Sequence, residues 1–315
     1  MNKLRSPAFL IVLAFFSIYV IWGSTYLLNK IAVSELPPLM LASIRFTIAG
    51  TLILIIALFL GLKLSVTKKQ LYNAIIAGFL FLSFGNGVIV WALKYVDSGF
   101  AALESSAQPL VVLLLMRFFE GKKIKTMSVV GVILGMVGIF LLVGQKEFIN
   151  QEGTLLGMIM IFISIISWAY GSIFVSKADL PPNFFVNTGY QMLTAGITLM
   201  IASQVFGEVW TFPSQWSGRV QVSMLALIIF GSIVAFTAFN YLLRTVSPEK
   251  VATSTYVNPI IAMLLGWYFL EEQITFQSIV AAIVMLTGVY FINTKRQLII
   301  FSRFRKPQNY RSYKK

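Results

Sequence analysis

Two side chains lie where their chemistry is hardest to accommodate: Arg45 and Glu104 sit inside long apolar stretches. An ionisable group in such a setting needs a partner or a task. Arg45 follows Pro38 by seven residues, Glu104 lies about six residues into its own stretch, and Asn86 lies about seven residues before the end of another. At 1.5 Å per residue, all three reach a depth of about 10 Å from one face of a membrane. Two kinds of chemistry fit. Arg45 and Glu104 either form an ion pair that ties two helices together, or they serve as a gate or a site for a zwitterionic or carboxylate-bearing solute. Glu104 is the only acid well inside a stretch, so it is also where a coupling proton would ride.

Further polar groups recur at helical spacing. Glu104 and Gln108 stand at i, i+4, as do Ser254 and Asn258. Pro109 and Pro259 each remove an intrahelical hydrogen bond beside these pairs, freeing the carbonyls of Ser105 and Thr255. Interrupted helices at matching places in two halves point to a transporter site, although prolines also kink helices for packing alone. Trp22, Tyr26 and Asn29 share one helical face, and Trp168 and Ser172 another. Both tryptophans are too deep for an interfacial belt, and either line a cavity or pack. Asn240, Tyr256 and Asn258 are similar candidates.

The elements that must hold these residues are membrane helices. Of 315 residues, 58% are hydrophobic and 11% charged, with a mean hydropathy of +0.84. Ten stretches of about 20 residues or more read as spans: 8–33, 38–60, 71–93, 98–119, 124–143, 153–175, 184–206, 222–243, 250–270 and 275–294. Backbone polar groups find no water in hydrocarbon, so such long apolar runs must be helices. Lys3 and Arg5 before an apolar run imitate a signal peptide, but no small-x-small site ends the run, and it is read as the first span.

The second five spans echo the first five. Trp22 recurs as Trp168, and Ala49-Gly50 as Ala195-Gly196, at a spacing of 146. Pro109 recurs as Pro259 and Gly138 as Gly288 at a spacing of 150, with Ser105/Thr255 and Gln108/Asn258 in the same register. An odd number of spans per repeat forces opposite orientations, so the expected fold is an all-α integral membrane protein of ten transmembrane helices in two inverted five-helix repeats. The units are residues 1–146, residues 147–294 and a basic tail, 295–315. Placing both termini inside puts 20 lysines and arginines in inner segments and four in outer ones, with Arg45 completing the 25. This topology accounts for most of the +14 net charge. The tail is suited to lying on the anionic inner leaflet or to remaining a disordered topogenic segment. Nucleic acid is not an expected partner, because the basic residues are spread over several loops. Glycines such as Gly131, Gly135 and Gly138 read as close helix contacts.

Catalysis finds little support. Neither His nor Cys occurs, which removes the usual general base, thiolate nucleophile and metal ligands. HExxH, GxSxG and P-loop patterns are absent. No cofactor and no metal site is expected, and no ATP-driven pump.

Trp22-Gly23-Ser24-Thr25, the Arg45-Phe46 pair and the proline-broken helices at Pro109 and Pro259 resemble the EamA family of the drug/metabolite transporter superfamily. The resemblance covers roughly residues 8–294. It implies a carrier of the inner membrane, often an exporter of amino acids or other small metabolites. It also implies a cavity between the halves, lined chiefly by helices 1, 3, 4, 6, 8 and 9. Glu104 departs from the family pattern. The expectation is therefore a secondary transporter working by alternating access, with a small-molecule substrate and the bilayer as partners, protons as a candidate coupling ion, and a monomer or weak homodimer as its state. The substrate-facing residues expected are Trp22, Tyr26, Arg45, Asn86, Glu104, Gln108, Trp168, Asn240, Tyr256 and Asn258. A non-transporting membrane scaffold or a lipid flippase of similar fold is the alternative.

Overall fold

A computed structural model describes residues 7–121, 126–143, 152–246 and 248–293. The basic tail 295–315, the N-terminal Lys3 and Arg5 and the loop residues Lys122, Lys123, Lys125 and Lys146 lie outside them. Among the described residues there are helices and no strands. In chain order these are α1 (Ala8–Val33), α2 (Pro38–Phe59), α3 (Lys68–Ala92), α4 (Ser98–Glu120) and α5 (Thr126–Val143). They continue as α6 (Thr154–Val175), α7 (Phe184–Val205), α8 (Gly218–Thr245), α9 (248–270) and α10 (Phe276–Asn293). Helices α1, α2, α3, α4, α6 and α8 are each long and apolar enough to cross a bilayer, and shorter apolar helices lie within α5, α9 and α10. The fold is an all-α integral membrane bundle. Large apolar side chains such as Phe59, Phe140 and Trp267 stand exposed on its outside, as they do where lipid replaces water.

Small residues set the closest crossings. Helix α2 packs along α7, and α5 along α10. A Cβ added at Gly50 would lie 2.9 Å from the Leu193 nitrogen, and one at Gly196 would lie 2.8 Å from the Thr47 nitrogen. The two Ala-Gly pairs thus press against each other's helices. At α5 and α10, a Cβ on Gly288 would meet the Gly131 oxygen at 2.7 Å. Backbones this close gain van der Waals contact that bulkier residues would forbid.

Both expected interruptions are present. Helix α4 breaks into Ser98–Ser105 and Gln108–Glu120, with Pro109 in the first turn of the second piece. Helix α9 passes through a 3₁₀ stretch, Ala252–Tyr256, before Asn258–Leu270 begins with Pro259 in its first turn. Three π-helical stretches were not foreseen: Ser17–Ile21 in α1, Phe79–Asn86 in α3 and Leu227–Val234 in α8. Each is served by polar side chains from a neighbouring helix. The Ser167 hydroxyl donates to the Leu80 oxygen at 2.8 Å and the Trp22 indole N–H to the Gly231 oxygen at 3.2 Å. With its amide turned to satisfy both ends, Asn258 donates to the Tyr19 oxygen at 2.9 Å. Wide turns of this kind are rare and favour functional sites.

Candidate functional site

The broken and π-helical segments converge on one partly open cavity of about 80 Å³. It lies between two apolar clusters, one around Leu93, Phe100 and Met224 and the other around Phe81, Phe236 and Leu242. Its walls come from α1, α3, α4, α6, α8 and α9, as expected, and also from α2 through Arg45 and Phe46.

Trp22, Tyr26, Arg45, Asn86, Gln108, Trp168 and Asn258 all line this cavity. The repeated tryptophans meet edge to face, with ring centroids 5.6 Å apart at 88°. Phe239 lies 5.0 Å from Trp22 and stacks on Phe236 at 5.8 Å. Together they make an aromatic wall. Opposite in character is Arg45, only 3% exposed. Its Nε donates to the Ser232 hydroxyl at 2.8 Å, and its Nη1 makes long contacts of 3.4 and 3.5 Å to Asn29 and Asn86. Its Cζ lies 4.8 Å from the Phe46 ring centroid. A Cβ at Gly231 would sit 3.1 Å from Nη2, so the glycine leaves the guanidinium room.

Two expectations need correction, and a third falls outside the described residues. Glu104 neither pairs with Arg45 nor lines the cavity; it is buried at 5% exposure, and its Oε2 has no hydrogen-bond partner. The i, i+4 argument that placed Glu104 with Gln108 fails because α4 breaks at 106–107 between them, and a shared face requires a continuous helix. Asn240 turns away into a closed network. It accepts from Asn187 at 3.3 Å and donates to Thr188 at 3.2 Å and Gln191 at 3.3 Å, all four being at most 1% exposed. A network so fully satisfied rigidifies the α7–α8 contact and leaves nothing for a ligand. Tyr256 is in the 3₁₀ stretch of α9, and its side chain lies outside the described residues.

Sequence reasoning passed over Ser232, Phe236 and Phe239. The π-helical turn of α8 shifts their register, so no period of 3.6 would have gathered them with Trp22. It also passed over three loop glutamates at one end of the bundle. Glu208, between α7 and α8, accepts from the Leu39 and Met40 amides at 3.0 and 2.7 Å, capping α2. Glu272, between α9 and α10, accepts from the Ser98 amide at 2.8 Å, the Ser98 hydroxyl at 2.8 Å and the Gly99 amide at 3.1 Å, capping α4. Glu35, between α1 and α2, takes the Ser217 hydroxyl at 2.6 Å and amide at 3.1 Å where α8 begins. These bonds hold the Glu35 carboxyl below its ordinary pKa. The signal was faint but present: α2 starts after Pro37 and α4 after Asp97, and neither residue caps its helix with its own side chain. Among the described residues no cluster suits a metal ion.

The model of the EamA-like transporter family matches this chain twice, over residues 9–144 and 155–294. The chain belongs to the EamA-like transporter family. It is 42% identical over 254 residues to a protein of Escherichia coli K12 named an uncharacterized inner membrane transporter, YedA, covering 80% of each chain. It is 24% identical over 292 residues to the uncharacterized transporter YoaV of Bacillus subtilis, covering 90% of this chain and 96% of that one. A solved crystal structure 18% identical in sequence covers 90% of this chain and 96% of its own, with a TM-score of 0.67, and shares the fold. The EamA-like chain is thus a multi-pass membrane transporter.

Proposed function

We propose that this transporter carries small metabolites across the cytoplasmic membrane by alternating access, with net export as the expected direction. The halves are residues 1–146 and 147–294 in opposite orientation, all ten helices cross the bilayer, and both termini are cytoplasmic. One observation carries the reading. A central cavity, holding a buried cation and an aromatic wall, lies where the interrupted helices α4 and α9 meet α1 and α6. Broken helices facing a central cavity are how transporters place irregular backbone inside a membrane without exposing it to lipid.

In this reading the glutamate caps are an outer latch. Glu208 and Glu272 come from the second half and cap helices of the first; Glu35 comes from the first and caps a helix of the second. All three bridge the halves at the end sealed by the Leu93 cluster, and releasing them opens that end. Pro109 and Pro259 supply the flexing points, because neither has an N–H to hold the preceding turn.

Flux of labelled metabolites in proteoliposomes tests the function. Protein-dependent, saturable flux is expected, and Pro109→Ala with Pro259→Ala should slow it more than it weakens binding. Movement of a fluorescent lipid without solute flux would make the protein a flippase, and neither activity would make it a scaffold.

A further inference from the structure

Among the described cavity-lining residues, Arg45 carries the only charge. Its three hydrogen-bond partners, Ser232, Asn29 and Asn86, are neutral, and Glu104 does not reach it. Nη2 donates to none of them. A guanidinium presents its donors in a planar fork, and here one arm of that fork is left for a ligand. Arg45 is 3% exposed as a whole, and Nη2 is not among the buried atoms left without a partner, so this arm opens onto the cavity. Burial of an unpaired cation is unfavourable, and an anion seated on Nη2 relieves it.

The rest of the cavity says what else the ligand carries. Trp22, Trp168, Phe236 and Phe239 offer flat apolar surface. An ammonium group would find no carboxylate. The Asn29 and Asn86 oxygens already face Arg45, and the Ser105, Thr255 and Gln108 oxygens that also line the cavity are neutral acceptors with no charge to offset that of an ammonium. Asn258 is committed to the π-helical carbonyls of α1.

Resting on the transport reading, we propose that the substrate class is small aromatic carboxylates that lack an amino group, with the carboxylate on Arg45 and the ring against the tryptophan–phenylalanine wall. Charge-assisted pairing of carboxylate with guanidinium supplies the affinity, and the lack of a carboxylate for an ammonium among the described lining residues supplies the selectivity against amino acids.

Four probes with one aromatic body and different charge decide this: 3-phenylpropionate, phenylalanine, 2-phenylethylamine and 3-phenylpropan-1-ol. Purified protein in gluconate medium is titrated with each and followed by thermal stability, since a ligand of the folded state raises the midpoint. 3-Phenylpropionate is expected to bind about tenfold or more tightly than the amine and the alcohol, the worth of one charged hydrogen bond, and more tightly than phenylalanine, whose ammonium loses water without gaining a carboxylate. Arg45→Gln should remove that preference and Arg45→Lys should keep part of it. If neither variant folds, the wild-type series alone decides. Equal or tighter binding of phenylalanine or the amine overturns the proposal, as does the absence of a shift with all four probes. A shift with sodium chloride as large as that with 3-phenylpropionate would show an inorganic-anion site and overturn the aromatic assignment. Flux is scored separately in proteoliposomes. Preferential binding of 3-phenylpropionate without flux removes the transport reading and keeps the ligand class, while flux of cationic or zwitterionic solutes alone does the reverse.

Discussion

Glu272→Ala tests whether the glutamate caps are a latch. The substitution removes three hydrogen bonds to α4, from the Ser98 amide, the Ser98 hydroxyl and the Gly99 amide. Bonds to a charged acceptor contribute about 1.5–3 kcal/mol each when well buried, but Glu272 is only half-buried and solvent screens it. Loss of a helix N-cap costs about 0.5–2 kcal/mol. About 2 kcal/mol is a fair total, and it acts on the closed state alone if the bonds break on opening. The equilibrium between closed and open then moves by about 30-fold. The chain has no cysteine, so Thr25→Cys, at a cavity position, gives a single reporter thiol. Its reaction with an impermeant maleimide added from the latched side should speed up by about the same factor in Glu272→Ala. Glu271→Gln, next door and exposed, should leave the rate alone. An unchanged rate together with a lowered thermal midpoint would refute the latch: the caps would then persist in both states and serve stability only.

Glu104→Leu should leave the thermal midpoint unchanged or raise it, because the carboxylate has an unpartnered Oε2 and removing an unsatisfied buried group relieves about 1–3 kcal/mol; a clear loss of stability would restore the idea of a charged lock. Ser214 and Ser65 are both exposed and lie at opposite ends of the bundle, so Ser214→Cys should label from outside intact cells and Ser65→Cys should not, and labelling of both from one side would refute the topology. Asp97, in the loop before α4, is pushed above its ordinary pKa of 3.8 by burial and then by Glu272, with Lys30 opposing. A raised carboxyl pKa gives stability that is full below the ordinary value and lost as pH rises through the folded one. Asp97→Asn should therefore raise the midpoint at pH 7 and lose that advantage near pH 4; an equal effect at both values would refute the assignment.

Six apolar spans and both proline breaks were legible because each rests on a one-dimensional signal, hydropathy or a missing N–H. Seven of the ten expected site residues face the cavity for a related reason, since a polar or aromatic residue deep in a span has few structural uses. The failures have a common physical source. Pairing Arg45 with Glu104 used depth alone, and depth does not fix azimuth once α4 breaks at 106–107. Ser232 and the phenylalanines of α8 were hidden by a π-helical turn. The glutamate caps are long-range contacts made from loops, and loops carry no period.

Arg45 and Gln191, which stands 146 residues later, differ in what surrounds them. The repeated residues build the frame. The Ala-Gly pairs set the α2–α7 crossing, the prolines break α4 and α9, and the two tryptophans meet at the centre. The tryptophans also line the cavity, and positions that differ between the halves give it its polarity. Arg45 lies in the cavity, while Gln191 is sealed in the amide network with Asn187 and Asn240. Asn86 faces Arg45, while its counterpart Phe236 joins the aromatic wall. A strictly symmetric pair of halves would put like groups on both sides of the cavity and bind a ligand equally well in two orientations. Departure from symmetry at these two positions instead gives the cavity a cationic end and an aromatic wall, and a ligand with one charged end and one flat body has a single way to fit.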